Sequence, residues 1–311
     1  MSKRILLTVL ALGIAGLWLN TPAQAGRWGH SSVSISPHDK GSWDDCQARY
    51  DITFDDQPAY RAQEQQTLAR SSFSTLRVHY LKRGGVAVHG WDKPDVEITV
   101  CKAVAASSQG EADDLLRQIK LQVNKGDVTV AGLPDDDDVW VGLLIQVPSG
   151  IAMKLTTENG PVSIQDVTGN VDAETENGPI SLRHCSGTLS VSAQNGPVSL
   201  KQGSGKVRLN LQNGPLSVEL EPGAWQGEGL DAHTQNGPLS LKVPENYRSG
   251  VQVEASWHSP FRCRLNACEG AVKDWDNEDR SRSIRLGPTG APTLVRISTV
   301  NGPVSIGSTT F

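Results

Sequence analysis

Three groups of side chains could do chemistry. Asp166, Asp172, Glu174 and Glu176 stand close together in the chain. Cleaving a glycosidic bond needs a pair of carboxylates, one as acid and the other as base or nucleophile. The later segments carry Ser, Gln or Lys at the matching places, so such a site would be confined to this stretch. Solvated outward charges are the plainer expectation. Asp135 to Asp138 is an unbroken acidic run. Hard oxygen ligands suit Ca²⁺, but a calcium loop alternates its ligands and turns on a glycine, and adjacent aspartates do neither. A solvated turn is expected there. The histidines, His30, His38, His79, His89, His184, His233 and His258, show no zinc spacing. The chain has no Gly-x-Ser-x-Gly elbow and no phosphate loop with a lysine. No catalytic residue, metal site or cofactor is expected.

The elements that would position these residues come from a repeat. The hexapeptide Asn-Gly-Pro-[Val/Ile/Leu]-Ser-[Ile/Leu/Val] starts at Asn159, Asn177, Asn195, Asn213, Asn236 and Asn301. The first four starts are 18 residues apart, the next gap is 23 and the last is 65. A fixed short period is the signature of stacked coils. Within each period apolar residues fall at the fourth and sixth places, as in Val162 and Ile164 or Ile180 and Leu182. A second alternating set falls at the thirteenth, fifteenth and seventeenth, as in Val171, Ala173 and Thr175. Alternation with a period of two means one face in and one out, hence two short strands per coil. Asn-Gly tolerates positive φ and Pro withholds an N–H, so the hexapeptide opens on a bend. Gly169, Gly187 and Gly205 mark the other bend. The fold class is therefore all-β, a single-stranded parallel β-helix or solenoid with coils of about 18 residues. The asparagines should form a ladder at one edge, and Ser163, Ser181, Ser199, Ser217 and Ser240 an outward row. Cys185 falls where Val167 and Gly203 stand in other coils, and should point inward as an unreactive thiol.

The flanks read as β as well. Alternation marks strands around Leu76–Tyr80, Val86–Val88, Val96–Val100, Ile119–Val123, Val128–Ala131 and Val139–Val147, with one short helix near Gln109–Gln118. After the fifth repeat, Val251, Val253 and Ala255 continue the pattern. Ser259 to Arg282 reads as a loop or lid, and the chain then returns for its last repeat. Solenoid ends need covering, and the helix and the lid are the candidates.

Residues 1–25 read as a secretory signal peptide: Lys3 and Arg4, an apolar run from Ile5 to Leu19, then Ala23-Gln24-Ala25. No other run is long enough to span a membrane. Removing Lys3 and Arg4 leaves 27 basic against 34 acidic side chains, a net charge of −7. That argues against nucleic acid or anionic lipid as a partner. An exported chain can form disulfides; Cys46 with Cys101 and Cys263 with Cys268 are the candidate pairs, leaving Cys185 over. Residues 26–70 read as an arm, ordered around Cys46 to Phe54, and 71–311 as the solenoid domain.

Two motifs carry a family resemblance. Val88–Val100 (VHGWDKPDVEITV) resembles the opening strand pair of a bacterial putative-adhesin domain family, catalogued as a domain of unknown function. The Thr-x-Asn-Gly segments at Thr157 and Thr175 resemble its coils. The resemblance spans about residues 70–311 and implies an exported or cell-envelope β-helical protein, with no catalytic residues to carry over. The expected role is non-enzymatic: a rigid face, in the periplasm or outside the cell, that binds a protein or glycan ligand. The competing expectation is a glycan-active β-helix enzyme.

Overall fold

The computed structural model describes residues 33–37, 42–54, 59–134, 138–269, 272–276 and 281–309. The expected signal peptide, and Asp135 to Asp137 of the acidic run, lie outside the described residues. The described chain is all-β with two short α-helices, Cys46–Arg49 and Gln109–Gln118. The second starts where Ser108 caps it, its hydroxyl accepting from the Glu111 N–H. The first was not anticipated. It is one turn, started by the Asp45 carboxylate, which accepts from the Gln47 and Ala48 N–H groups; one turn is too short to show a period.

The repeats build two large sheets, one of 12 strands and one of 11. Each coil gives a long strand to the first and a four- or five-residue strand to the second. Thr168–Asn177, Ser186–Asn195 and Lys206–Asn213 lie side by side in the long-strand sheet. Val162–Gln165, Ile180–Arg183 and Val198–Lys201 do the same in the short-strand sheet. All these pairs are parallel and in one register, so Asn177 faces Asn195 and Ile180 faces Val198. The inner faces meet in one core, where Ile164, Leu182, Leu200, Ala173, Val191 and Leu209 are all at most 1% exposed. Each such Val or Leu contributes about 1.5–3 kcal/mol by leaving water. The place two before a ladder asparagine takes Thr157, Thr175, Thr234 and Thr299 into the core edge, where bonds such as Thr157 Oγ1 to Thr175 Oγ1 (3.1 Å) and Thr234 Oγ1 to the Gly214 carbonyl (3.0 Å) satisfy the hydroxyls.

The corners explain the hexapeptide. A Cβ on Gly196 would overlap the Gly178 carbonyl oxygen of the coil before it, and Gly196 has φ 139°. Only glycine fits that approach. The proline that follows uses its carbonyl alone: Pro179 accepts from Val162 N–H and Pro197 from Ile180 N–H, both at 2.9 Å. The 23-residue gap is a longer second bend, closed by Trp225, whose indole N–H donates to the Gly205 carbonyl at 2.9 Å.

Three features depart from the sequence expectation. First, Thr293–Asn301 lies between Gly229–Asn236 and Gly250–Ser256, so the last repeat in the chain is not the last in the stack. Val251, Val253 and Ala255 keep the alternation but stand one rung further out. Second, the stretch read as a lid contains strands: Phe261–Cys263 pairs with Val304–Ser308, and Val272–Asp276 and Ser281–Leu286 pair antiparallel at the sheet end. Third, Ala59–Leu68, placed in the arm by its lack of periodicity, is an edge strand antiparallel to Val96–Ala105. Most of its side chains face water, which erases the alternation that a half-buried strand would show.

Candidate functional site

The asparagines form a continuous hydrogen-bonded file. Asn177 Nδ2 donates to Asn159 Oδ1 at 3.0 Å, Asn195 to Asn177 at 2.9 Å, Asn213 to Asn195 at 3.0 Å, Asn236 to Asn213 at 3.0 Å and Asn301 to Asn236 at 2.8 Å. Asn159 Nδ2 starts the file on the Lys82 carbonyl. Each interior amide is thus donor to one neighbour and acceptor from the other. Aligned bonds of this kind polarise one another, and the file is spent on holding coils together. The serine row is half-buried along most of its length, with Ser199 Oγ 3.2 Å from Ser181 Oγ.

Beside the file, the outer face of the long-strand sheet is different. Glu174, Ser192, Asn210 and His233 stand in register across four strands. Glu176, Gln194, Gln212 and Gln235 each precede a ladder asparagine. Together they line a shallow groove of about 330 Å³. Ser192, Gln194, Asn210, Gln212 and Gln235 are exposed and make no side-chain hydrogen bond to any described residue. His233 Nδ1 lies 2.9 Å from Ser298 Oγ. The groove is therefore a regular array of free amide and hydroxyl groups, about 4.8 Å from strand to strand, with carboxylates at one end. A larger hollow of about 880 Å³ lies between Ala59–Leu68 and the helix Gln109–Gln118. Three of its charges are answered within the chain: Lys102, on its floor, is 2.9 Å from Glu64, Arg61 is 3.5 Å from Asp51, and Arg117 pairs with Asp114.

The acidic residues of the first coil do not converge. Asp172 faces Lys154 at 3.8 Å, while Glu174 and Glu176 end the groove. Asp166 sits at the corner after the short strand, among residues the sequence left scattered. His89 Nε2 is 3.3 Å from Asp166 Oδ2, and His184 Nδ1 is 3.1 Å from Asp166 Oδ1. His184 Nε2 meets Gln202 Oε1 in turn. Asp166, His184 and Gln202 all have left-handed backbones, φ 56°, 51° and 54°. Such a conformation costs a non-glycine residue about 1–2 kcal/mol. The 18-residue spacing of these three was a signal that could have found the corner; His89 lies outside the repeat and left none. Among the described residues, no three metal-ligating side chains are grouped to hold an ion.

Cys46 lies at disulfide distance from Cys101, with Cα atoms 5.5 Å apart, and Cys263 from Cys268, at 6.3 Å. Cys185 is free and buried, its Sγ 3.2 Å from the Arg183 carbonyl, and burial pushes its thiol pKa up, away from reactivity. No described helix is long and apolar enough to cross a membrane.

No family model and no curated protein matches the chain. Among solved structures, a "putative cell adhesion protein" from Clostridium sporogenes aligns over 80% of this chain and 100% of its own, at 11% identity and a TM-score of 0.30. A "putative adhesin" from Bacteroides fragilis aligns over 80% of this chain and 97% of its own, at 9% identity and a TM-score of 0.33. Likeness at this level decides neither fold nor function.

Proposed function

We propose that this chain is an exported β-solenoid that binds an extended glycan along the outer face of its long-strand sheet and does no chemistry on it. One contrast supports the reading most. The ladder asparagines are bonded to one another, whereas Ser192, Gln194, Asn210, Gln212 and Gln235 beside them make no side-chain hydrogen bond among the described residues. A repeating polymer of hydroxyl and amide groups is the ligand such an array complements, because the face repeats as the polymer does. The two cysteine pairs support an oxidising compartment, hence export to the periplasm or beyond. The family resemblance of Val88–Val100 and the coils points the same way. The acidic balance of the chain and the carboxylates at the groove end argue against nucleic acid as ligand.

A second reading rests on Glu174 and Glu176. Two residues apart on one strand face, their backbones stand about 7 Å from each other, a spacing compatible with paired carboxylates acting on a glycosidic bond. Glu174 and His233 are three strands apart, about 14 Å, too far to share one bond.

A glycan array followed by titration calorimetry tests both. The combined variant Gln194→Ala, Asn210→Ala, Gln212→Ala should weaken binding at least tenfold, about 1.4 kcal/mol, while Ser217→Ala on the other sheet leaves it unchanged. Equal loss in both variants, or no binding by the native protein, would overturn the proposal. Turnover of the bound polymer that disappears in Glu174→Gln would establish the enzyme instead.

A further inference from the structure

The corner at His89 carries an arrangement that neither the core nor the groove needs. The indole of Trp43 lies flat on the His89 imidazole, centroids 4.6 Å apart and planes 11° from parallel. The Arg49 guanidinium stands 3.6 Å from the Trp43 ring centroid. Asp166 accepts at His89 Nε2, so that nitrogen carries the hydrogen and Nδ1 holds the lone pair. His89 Nδ1 is buried with no hydrogen-bond partner among the described residues. A second proton has to go there. With the indole seated it would become a buried N–H facing no acceptor among the described residues, and the indole face, which attracts a cation, is already engaged by Arg49. With the indole away, water can reach it.

We propose that the Trp43–His89 stack is a proton-operated latch. Protonation of His89 unseats Trp43 from the sheet corner. The release is bounded on both sides, for Val33–Pro37 stays paired antiparallel with Tyr50–Phe54. Gln63 grips the backbone on both sides of Asp45, its Oε1 accepting from the Cys46 N–H at 3.3 Å and its Nε2 donating to the Asp44 carbonyl at 3.3 Å. The Cys46–Cys101 link then holds the arm to the second large sheet. Beyond these, Tyr50, Ile52 and Phe54 stay packed against Ala103, Trp140 and Leu144. The latch therefore moves one ring.

Every charged group around His89 bears on the sign. Burial lowers its pKa below the ordinary 6.5; Asp166 opposes this by attraction and hydrogen bonding, and Arg49 adds to it. His184 lies across Asp166 and shares its carboxylate. On the adjoining strand Val139–Pro148, the register neighbour Gln146 is neutral and donates to Glu97 at 2.9 Å. A depressed histidine stabilises the seated form above pH 6.5, and that stability is lost as pH falls through 6.5 and on through the lower seated value.

Two measurements on the full exported chain test the latch. Acrylamide quenching of Trp43, taken as the difference between the native protein and Trp43→Phe, should rise as pH falls from 8 to 5 (a range spanning the histidine pKa). In His89→Gln, which cannot charge, the same difference should stay flat. The His89 ring titration followed by NMR should have its midpoint below 6.5 in the native protein and move back towards 6.5 in Trp43→Ala. Identical quenching profiles with and without His89, or a midpoint that ignores Trp43, would overturn the proposal.

Discussion

Asn195 is the residue at which the repeat can be weighed. Its side chain donates to Asn177 and accepts from Asn213, so Asn195→Ala removes two bonds. Asn301 ends the file and donates only to Asn236. Each net hydrogen bond is worth about 1 kcal/mol. Asn195→Ala should therefore cost about 2 kcal/mol in urea unfolding and Asn301→Ala about half that. Equal costs would mean that asparagine is there for its backbone preference and not for the file. The asparagines were visible in the chain because they recur at a constant interval and carry a distinctive turn. His89 was not, because nothing in its own neighbourhood says that Asp166 will stand beside it. The free amides of Gln194 and Gln212 were hidden for a different reason. They look like any polar residue on an outward strand face until the neighbouring file is seen to be bonded to itself.

At the scale of elements, the two cysteine pairs do unequal work. Cys46 and Cys101 are 55 residues apart, Cys263 and Cys268 only 5. The loop-closure model assigns about 4 kcal/mol to the first and about 2 to the second. Replacing both cysteines of a pair by serine should lower the denaturant midpoint more for Cys46/Cys101. The reverse order would show that the arm adds little to the unfolding of the sheets. The strands of the regular coils could be read residue by residue, since both faces of each are constrained by burial. Ala59–Leu68 could not. A sheet edge with solvent on most sides imposes no alternation, and only its pairing with Val96–Ala105 makes it a strand.

The molecule departs from a simple stack at both ends: Val139–Pro148 and Val96–Ala105 lie outside Val86–Trp91, though they follow it in the chain, and the last repeat is displaced as well. Thr293–Asn301 lies between the strands Gly229–Asn236 and Gly250–Ser256, so the chain's last repeat is an interior rung. In a sequential stack, losing the last coil would leave the others intact. Here truncation before Thr293 should strip Gly250–Ser256 of its inner neighbour; that strand, and Ser281–Leu286 paired on its outer side, should lose hydrogen-exchange protection while Thr168–Asn177 keeps its own. Protection retained at Gly250–Ser256 would mean that the outer rung can close directly on Gly229–Asn236. The 65-residue gap between Asn236 and Asn301 therefore reads as an excursion that the chain makes before it fills the place it left.

The repeat, the inward residues, the bends and the asparagine file follow from the chain alone. Each depends on local alternation and on a constant interval, and stacking converts that interval directly into contact. The order of the last rungs, the edge strand, the seating of Trp43 on His89 and the meeting of His89 with Asp166 were decided only by the folded chain. These join segments of unrelated spacing, and they exist because two sheets are packed around one core and an arm is packed against the outer face of one of them.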